Sequence, residues 1–279
     1  MRSLMSRKNR VIPPLFKAGL ILILCGVLSC ATVPITERRG LRLIPGRQLL
    51  SMSFQQYGEV LKKSKLSEDS EKVEMVKRVG EKIARAAEEF LRDSGMESEI
   101  KNYQWEFSLI EDDKVVNAWC MPGGKVAVYT GILPITRDES GLAVVMGHEV
   151  AHAIAEHGNE RMSQGLLAQL GAVSLSLAIS REPAITQQIF MAAYGLGAQV
   201  GVLLPYSRLH EREADRIGLV LMARAGYDPR EAVPFWERMN EEAKGRRPPE
   251  FLSTHPAPEN RIKEIQSFIP EAMKYYRVE

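Results

Sequence analysis

Residues 139–158 read ESGLAVVMGHEVAHAIAEHG, and this stretch decides the fold. Its apolar residues continue until Gly158, which predicts a helix that is largely buried. Thr136, with Glu139 three residues later, predicts a capping box at the start of that helix. Polar side chains on a buried helix need partners, so the histidines and the glutamate within the stretch require an explanation.

Residues 148–152 read HEVAH, an HExxH motif on that helix. At about 100° per residue, His148 and His152 lie about 40° apart on one helix face, so both imidazoles can reach one metal ion. Glu149 lies about 60° from His152, close enough to take a proton from a water at that ion. This is the geometry of a zinc-dependent hydrolase. The alternative, a surface helix with two chance histidines, fits poorly with the apolar flanks.

A catalytic zinc takes three protein ligands and leaves a fourth position open. Residues 206–215 read YSRLHEREAD and supply the third ligand, and a helix is predicted over 208–225. Glu211 and Asp215 are four residues apart and share a helix face. One can bind the metal while the other accepts the second ring N–H of a ligand histidine. Without the HExxH motif, the ordinary interpretation of this segment would be a solvated charged helix.

The motifs of this chain resemble those of the HtpX/CAAX-prenyl-protease family, a gluzincin family of zinc metallopeptidases. In family order they are Asn117-Ala118 with Pro122-Gly123-Gly124, the HEVAH motif, Ser207-Arg208 with Glu211, Ala214 and Asp215, and His255-Pro256 with Arg261-Ile262.

The resemblance implies one zinc ion per chain, bound by His148, His152 and Glu211. It implies further that Glu149 is catalytic and that Asp215 supports a ligand histidine. The expected substrates are polypeptides in extended conformation, which would pair with the strand at 125–130 as an edge of the sheet.

The fold class predicted from these patterns is α+β and mainly α, a gluzincin-like helical protease domain with a small β-sheet. Apolar residues at helical spacing predict a helix over 67–93. Alternation and turn residues predict strands over 103–109, 115–121 and 125–130.

Three regions are predicted along the chain. Residues 1–29 resemble a signal peptide, 30–50 form an extended tether, and 51–279 form the metallopeptidase domain. The chain stops soon after the His-Pro motif, so we expect a member without the helical-repeat domain that some relatives carry.

The N-terminus resembles that of a bacterial lipoprotein. An apolar run over 18–28 fits a signal-peptide core and is short for a membrane span. It ends VLSCA at 27–31, similar to a lipobox, which implies a lipid on Cys30 that attaches the protein to a membrane. Because Ala31 replaces the Asp that favours retention in the inner membrane, the expected location is the periplasmic side of a bacterial outer membrane. An uncleaved anchor or a plain secretory signal is the alternative.

Composition gives no sign of a nucleic-acid partner. The chain of 279 residues carries 37 Lys and Arg against 35 Asp and Glu, a net charge of +2, whereas domains that bind nucleic acid are strongly basic. Cys25 leaves with the predicted signal and Cys30 takes the lipid, so only Cys120 remains of 3 cysteines. Its apolar neighbours favour a structural thiol over a nucleophile.

Two further positions need a prediction. Residues 162–205 correspond to membrane hairpins in many relatives, but their polar residues favour an amphipathic helical pair that lines or covers the cleft. Membrane hairpins are the alternative. His157 lies about 140° around the helix from His152, which predicts a capping or surface position.

His255 follows Ser253-Thr254 and precedes proline, so it lies in a loop. We hypothesise that it can occupy the open metal position and keep the enzyme latent, as an inhibitory ligand. The alternative is a histidine that fixes the loop by hydrogen bonds.

The predicted function is a zinc metalloendopeptidase that hydrolyses extended or misfolded envelope proteins. A binding protein or holdase with a purely structural zinc site is the second hypothesis, and Glu149 argues against it because a structural site has no use for a base. A multi-pass membrane protease is the third.

Overall fold

The computed structural model describes residues 30–33, 36–244, 249–255 and 260–277. The predicted signal peptide over 1–29 and the proline of the His-Pro motif lie outside these ranges.

The helices, in chain order, are α1 (Gly46–Lys63), α2 (Ser70–Asp93), α3 (Glu97–Ile100), α4 (Leu133–Thr136), α5 (Glu139–Ile154), α6 (His157–Ala178), α7 (Ala184–Ala198), α8 (Leu204–Arg224), α9 (Ala232–Ala243), α10 (Glu250–Thr254) and α11 (Arg261–Ala272). A π-helical turn, Gln199–Leu203, joins α7 to α8, and 3₁₀ turns occupy Thr130–Ile132, Pro229–Glu231 and Met273–Tyr275. The strands are β1 (Cys30–Thr32), β2 (Arg39–Leu41), β3 (Glu106–Ile110), β4 (Ala118–Met121) and β5 (Lys125–Tyr129). The predicted mainly α fold with a small sheet is confirmed.

The sheet of β3, β4 and β5 has β5 in its centre. Strand β5 runs parallel to β3 and antiparallel to β4. The prediction that the strand at 125–130 is an edge strand is therefore wrong, and β4 is an edge of the described sheet. Alternation of apolar residues indicates a strand but carries no information on strand order, because order depends on pairing between distant segments.

Helices α5 and α8 form the centre of the core and place the HExxH motif beside Glu211. They approach so closely that a Cβ on Gly218 would lie 2.9 Å from the backbone nitrogen of His148. A Cβ on Gly147 would likewise lie 2.9 Å from the carbonyl oxygen of Gly218. Two glycines at the crossing therefore allow the backbones to come within reach of one shared site.

Helix α5 has a different N-cap from the predicted one. Asp138 is its N-cap, and the carboxylate accepts a hydrogen bond from the backbone N–H of Gly141 at 2.9 Å. Thr136 ends α4 instead, and its hydroxyl donates to the carbonyl of Leu133. The predicted capping box is wrong because Arg137, at a φ of 69°, turns the chain between α4 and α5.

Helices α6 and α7 form a hairpin that extends away from the core. Beyond Gln164, no described residue is buried until His210. Large apolar side chains along the hairpin are exposed, among them Val173, Leu177 and Ile189. The predicted amphipathic pair that covers the cleft is therefore wrong, since the apolar residues do not face the rest of the protein.

One helix among the described residues is long and apolar enough by length and composition to cross a membrane. It runs continuously over Ala184–Arg224, and its apolar window has no part buried in the protein.

The segment predicted as a tether packs against the domain. Val33 is fully buried in the core. Strands β1 and β2 pair antiparallel, and the backbone N–H of Leu43 donates to Ser163 Oγ of α6 at 2.8 Å. This part of the chain therefore has a fixed place over the start of α6.

Candidate metal centre

Four buried side chains from three separate parts of the chain meet at one point. His148 and His152 come from α5, Glu211 comes from α8, and His255 directly follows α10. Each offers one ligand atom, and these atoms lie within 4.8 Å of one another. The structure thus brings the three predicted ligands together with His255.

The spacing of these atoms fits a tetrahedral metal ion. Nε2 of His148 lies 3.1 Å from Nε2 of His152, 3.2 Å from Nδ1 of His255 and 3.3 Å from Oε2 of Glu211. Nε2 of His152 lies 3.4 Å from Oε1 of Glu211. Ligands about 2.0–2.1 Å from a tetrahedral ion stand about 3.4 Å from one another. Three imidazoles and one carboxylate at this spacing can hold a divalent ion.

The electrostatics of the cluster favour a cation. Burial lowers the pKa of His152 well below its ordinary value, so this imidazole is neutral and offers a lone pair. Burial opposes ionisation of Glu211, but the adjacent His152 and His148 hold the pKa of its carboxyl far below the usual range. Burial also lowers the pKa of His148, while Asp215 and Glu211 raise it to about 9. A metal ion that binds here must displace the proton on His148.

Asp215 lies beside His148, the position that the sequence predicts for the acid that supports a ligand histidine. Its Oδ1 lies 3.0 Å from Nδ1 of His148. Arg261 of α11 donates to both oxygens of Asp215, at 2.7 and 2.8 Å. Because a carboxylate only accepts, Nδ1 of His148 carries a proton, so the proton that a metal displaces is the one on Nε2, whose lone pair then faces the cluster.

His157 lies beside His152 as Asp215 lies beside His148. It is fully buried, and its Nδ1 lies 2.9 Å from Nδ1 of His152. Its Nε2 lies 3.0 Å from Oε2 of Glu213. The predicted capping or surface position of His157 is therefore wrong. Helix α5 ends at Ile154 and Glu156 adopts a left-handed φ of 55°, so the phase of α5 does not continue to His157.

Glu149 lies beside the cluster and is buried. Its Oε1 is 3.3 Å from Nε2 of His255. The same oxygen accepts no hydrogen bond from the described residues. A buried carboxylate oxygen without such a donor is suited to accept a proton or a hydrogen bond from a bound molecule.

Residues that sequence reasoning missed lie next to the predicted ones. Glu213 and Glu160 are both buried and flank His157 and His210, and Arg38 lies between the two carboxylates. Charged residues on a helix are usually solvated, so nothing in the local pattern distinguished them. Cys120 lies in β4, where burial raises the pKa of its thiol, which fits a structural thiol.

An HExxH helix crossed by a second helix that supplies a glutamate defines a metallopeptidase centre. The family model described as Peptidase family M48 matches residues 76–269, and the chain belongs to this family. The predicted class of metallopeptidase is confirmed at the level of this family, while zinc as the metal and the finer HtpX/CAAX-prenyl-protease type stay predictions.

Curated relatives agree with the family. The chain is 39% identical over 195 residues to the mitochondrial metalloendopeptidase OMA1 of Schizosaccharomyces pombe, covering 68% of this chain and 53% of the relative. It is 31% identical over 283 residues to mitochondrial metalloendopeptidase OMA1 of Bos taurus, covering 98% and 52%. It is 32% identical over 171 residues to the beta-barrel assembly-enhancing protease of Escherichia coli strain K12, covering 58% and 34%. The chain thus spans about half the length of the two OMA1 relatives and about a third of the Escherichia coli protease.

The predicted location in a bacterial outer membrane is wrong by this comparison. Relatives from fungi, plants and animals, with identities of up to 39%, are named as mitochondrial proteins. The lipobox-like match rests on five residues, and a basic N-terminus without acids before Glu37 is shared by mitochondrial targeting sequences.

Proposed function

We propose that this protein is a zinc-dependent endopeptidase that hydrolyses peptide bonds in extended or misfolded polypeptides. The observation that carries the proposal is the tetrahedral spacing of His148, His152 and Glu211 beside the buried carboxylate of Glu149. In this proposal the first three residues bind one zinc ion per chain, and Asp215 orients His148.

A zinc ion in this position would acidify a bound water and polarise the carbonyl of the scissile bond. Glu149 takes the proton of the attacking water and passes it to the nitrogen of the leaving amine. Oε1 of Glu149 supports this role, because it accepts no hydrogen bond from the described residues, although Nε2 of His255 lies 3.3 Å away. Asp215 and His157 hold the ligand imidazoles in the tautomers that direct Nε2 to the metal.

The proposed substrate lies along β4, the edge of the sheet next to α5. An extended peptide would add as a further strand through backbone hydrogen bonds, which recognise conformation and not sequence. Such recognition suits unfolded or misfolded chains, whose backbone groups are unpaired. Asn117, directly before β4, donates from its side chain to Glu250 at 3.2 Å, so the chain next to this edge is held against α10.

We also propose that His255 is an inhibitory ligand. Its Nδ1 lies at the fourth corner of the cluster, 3.1 Å from Oε2 of Glu211. In this proposal the ring would take the position that a water needs for catalysis. The protein would be latent in this conformation and active once residue 255 moves away.

A membrane is the proposed partner besides the polypeptide substrate. The sequence suggests a lipid on Cys30, whose side chain lies outside the described part of the structure, and the exposed apolar hairpin of α6 and α7 supports membrane contact independently. Cys30→Ser tests the lipid: the wild type should sediment with membranes and the variant should not. An unchanged distribution would assign attachment to other elements.

One observation favours a second candidate function, a polypeptide holdase with a structural zinc site. Structural zinc sites are closed by four protein ligands, and His255 offers a fourth ligand atom to the cluster. A holdase would bind unfolded chains without cleaving them and would not need Glu149.

Zinc content and casein cleavage, measured on the same preparation, test the proposed function. We expect about one zinc per chain, cleavage that a chelator abolishes, and recovery when zinc is restored. Zinc without cleavage, in wild type and in His255→Ala alike, would favour the holdase. Absence of a bound metal would contradict both candidates.

A further inference from the structure

Arg38 joins two buried glutamates from different helices. Its Nε and Nη2 donate to Oε1 and Oε2 of Glu213 at 2.9 and 2.8 Å. Its Nη1 and Nη2 donate to Oε1 and Oε2 of Glu160, both at 2.8 Å. The guanidinium is therefore bidentate to both carboxylates at once, which only the planar fork of an arginine allows.

The two carboxylates depend on this cation. The side chains of Glu160 and Glu213 are 3% and 2% exposed. Their other partners are imidazoles, with His210 at 3.1 Å from Glu160 and His157 at 3.0 Å from Glu213. Without Arg38 two like charges would share a buried space, which is unfavourable unless one carboxylate turns away.

A chain of contacts leads from Arg38 to a proposed metal ligand. Glu213 only accepts, so His157 presents an N–H at Nε2 and a lone pair at Nδ1. That lone pair accepts the Nδ1–H of His152 at 2.9 Å, and Nε2 of His152 then directs its own lone pair into the cluster. If Glu213 moved, His157 could adopt the other tautomer, and His152 could turn an N–H towards the metal instead.

The position of Arg38 is set by its own segment. The backbone N–H of Val33 donates to the carbonyl of Arg38 at 2.7 Å, and Thr36 donates to Oε1 of Glu213 at 2.6 Å. Gly40 passes so close to Glu160 that a Cβ would lie 2.9 Å from its Oε2. This segment precedes residues 76–269, the part that matches the family model.

We propose that Arg38 is a positioning residue of the metal centre, which acts through Glu213 and His157 on the orientation and tautomer of His152. This inference rests on the proposed zinc site. The segment that contains Arg38 then contributes to the metal centre. His148 and His152 have parallel support: Asp215 with Arg261 holds the first, and His157 with Glu213 and Arg38 holds the second.

The test compares Arg38→Gln with Arg38→Lys and with Arg39→Gln in the full chain. Arg39 is the neighbouring exposed arginine on β2 and serves as the matched control. Zinc affinity is measured by chelator competition, and the site is observed through the visible absorption spectrum of the cobalt-substituted protein. We expect Arg38→Gln to weaken zinc binding about 10- to 100-fold and to alter the cobalt spectrum, as outer hydrogen-bond partners of metal ligands do.

Arg38→Lys should fall between wild type and Arg38→Gln, because an ammonium keeps the charge but cannot fork to both carboxylates. Wild-type zinc affinity and an unchanged cobalt spectrum in Arg38→Gln would overturn the inference, as would an equal loss in Arg39→Gln. If Arg38→Gln does not fold, Thr36→Val replaces it. That variant removes one hydrogen bond to Glu213 without removing charge, and it should weaken zinc binding to a smaller, measurable extent. No change there would also overturn the inference.

A double variant separates positioning from general stability. If Arg38 acts through Glu213, Arg38→Gln combined with Glu213→Gln should bind zinc no more weakly than Glu213→Gln alone. Additive losses would show that Arg38 acts by another route. A wild type that binds no zinc would instead contradict the proposed function itself, so the two failures are distinguishable.

Discussion

Glu211 and Glu213 stand two residues apart on α8, and their carboxylates serve different histidines. Oε2 of Glu211 lies 3.3 Å from Nε2 of His148, inside the cluster. Oε2 of Glu213 lies 3.0 Å from Nε2 of His157, outside it. Residues two apart on a helix are about 200° apart in phase, so one helix supplies both a proposed ligand and the support of another ligand.

Glu211→Gln should cost far more zinc affinity than Glu213→Gln. The first removes a charged ligand atom, and its loss should exceed the factor of about 10 to 100 that is typical of an outer partner. The second should stay within that range. Chelator competition on both variants measures the difference, and equal losses or the reverse order would contradict the assignment of the third ligand.

Glu149→Gln should retain zinc and lose proteolysis by a factor on the order of 10² or more, because an amide cannot accept the proton of the attacking water. Zinc content and casein cleavage are measured side by side with wild type. Retained cleavage would refute the general-base role, whereas loss of zinc would make Glu149 a structural residue.

His255→Ala should cleave casein at least as fast as wild type while zinc stays bound, because the fourth coordination position becomes free. Thr254→Ala, in the adjacent and exposed position, is the matched control and should leave the rate near that of wild type. The melting temperature is measured for both variants. A fall in both activity and melting temperature for His255→Ala would end the inhibitory interpretation in favour of a residue that fixes the loop.

The stability of the metal-free protein should depend on pH through Glu160. Burial raises the pKa of this carboxyl, but His210 and Arg38 lower it by more than burial raises it. The net effect is a pKa lowered from 4.5 to about 2. A depressed pKa in the folded state gives stability that is present above the unfolded value and lost as pH falls towards 2. The advantage of wild type over Glu160→Gln in free energy of unfolding should therefore shrink by about 3 kcal/mol between about pH 6 and about pH 2.

Urea unfolding of both proteins across this range measures the effect, and Glu81→Gln, at an exposed position of α2, provides the control. A constant difference between wild type and Glu160→Gln would show that the carboxyl does not titrate differently on folding.

The candidate ligands on helices could be predicted because their relationship is local. His148 and His152, one turn apart, share a face in any α-helix, and the same holds for Glu211 and Asp215. The prediction for His157 is wrong because it assumes that helical phase continues past Ile154, whereas the helix ends there and Glu156 has a positive φ. Likewise, the alternation that gave the strand at 125–130 could not give its place between β3 and β4.

The sequence by itself determined the HExxH helix, the second helix with its glutamate, the mainly helical fold class and the family. These follow from spacing within one element, where helix geometry fixes which side chains are neighbours. His255 is 107 residues from His148 in sequence, and only the tertiary structure decided that Nδ1 of His255 lies 3.2 Å from Nε2 of His148. It also decided that Arg38 lies between Glu160 and Glu213. Contacts of this kind depend on how distant segments pack together, and the energy of burying charges selects their partners.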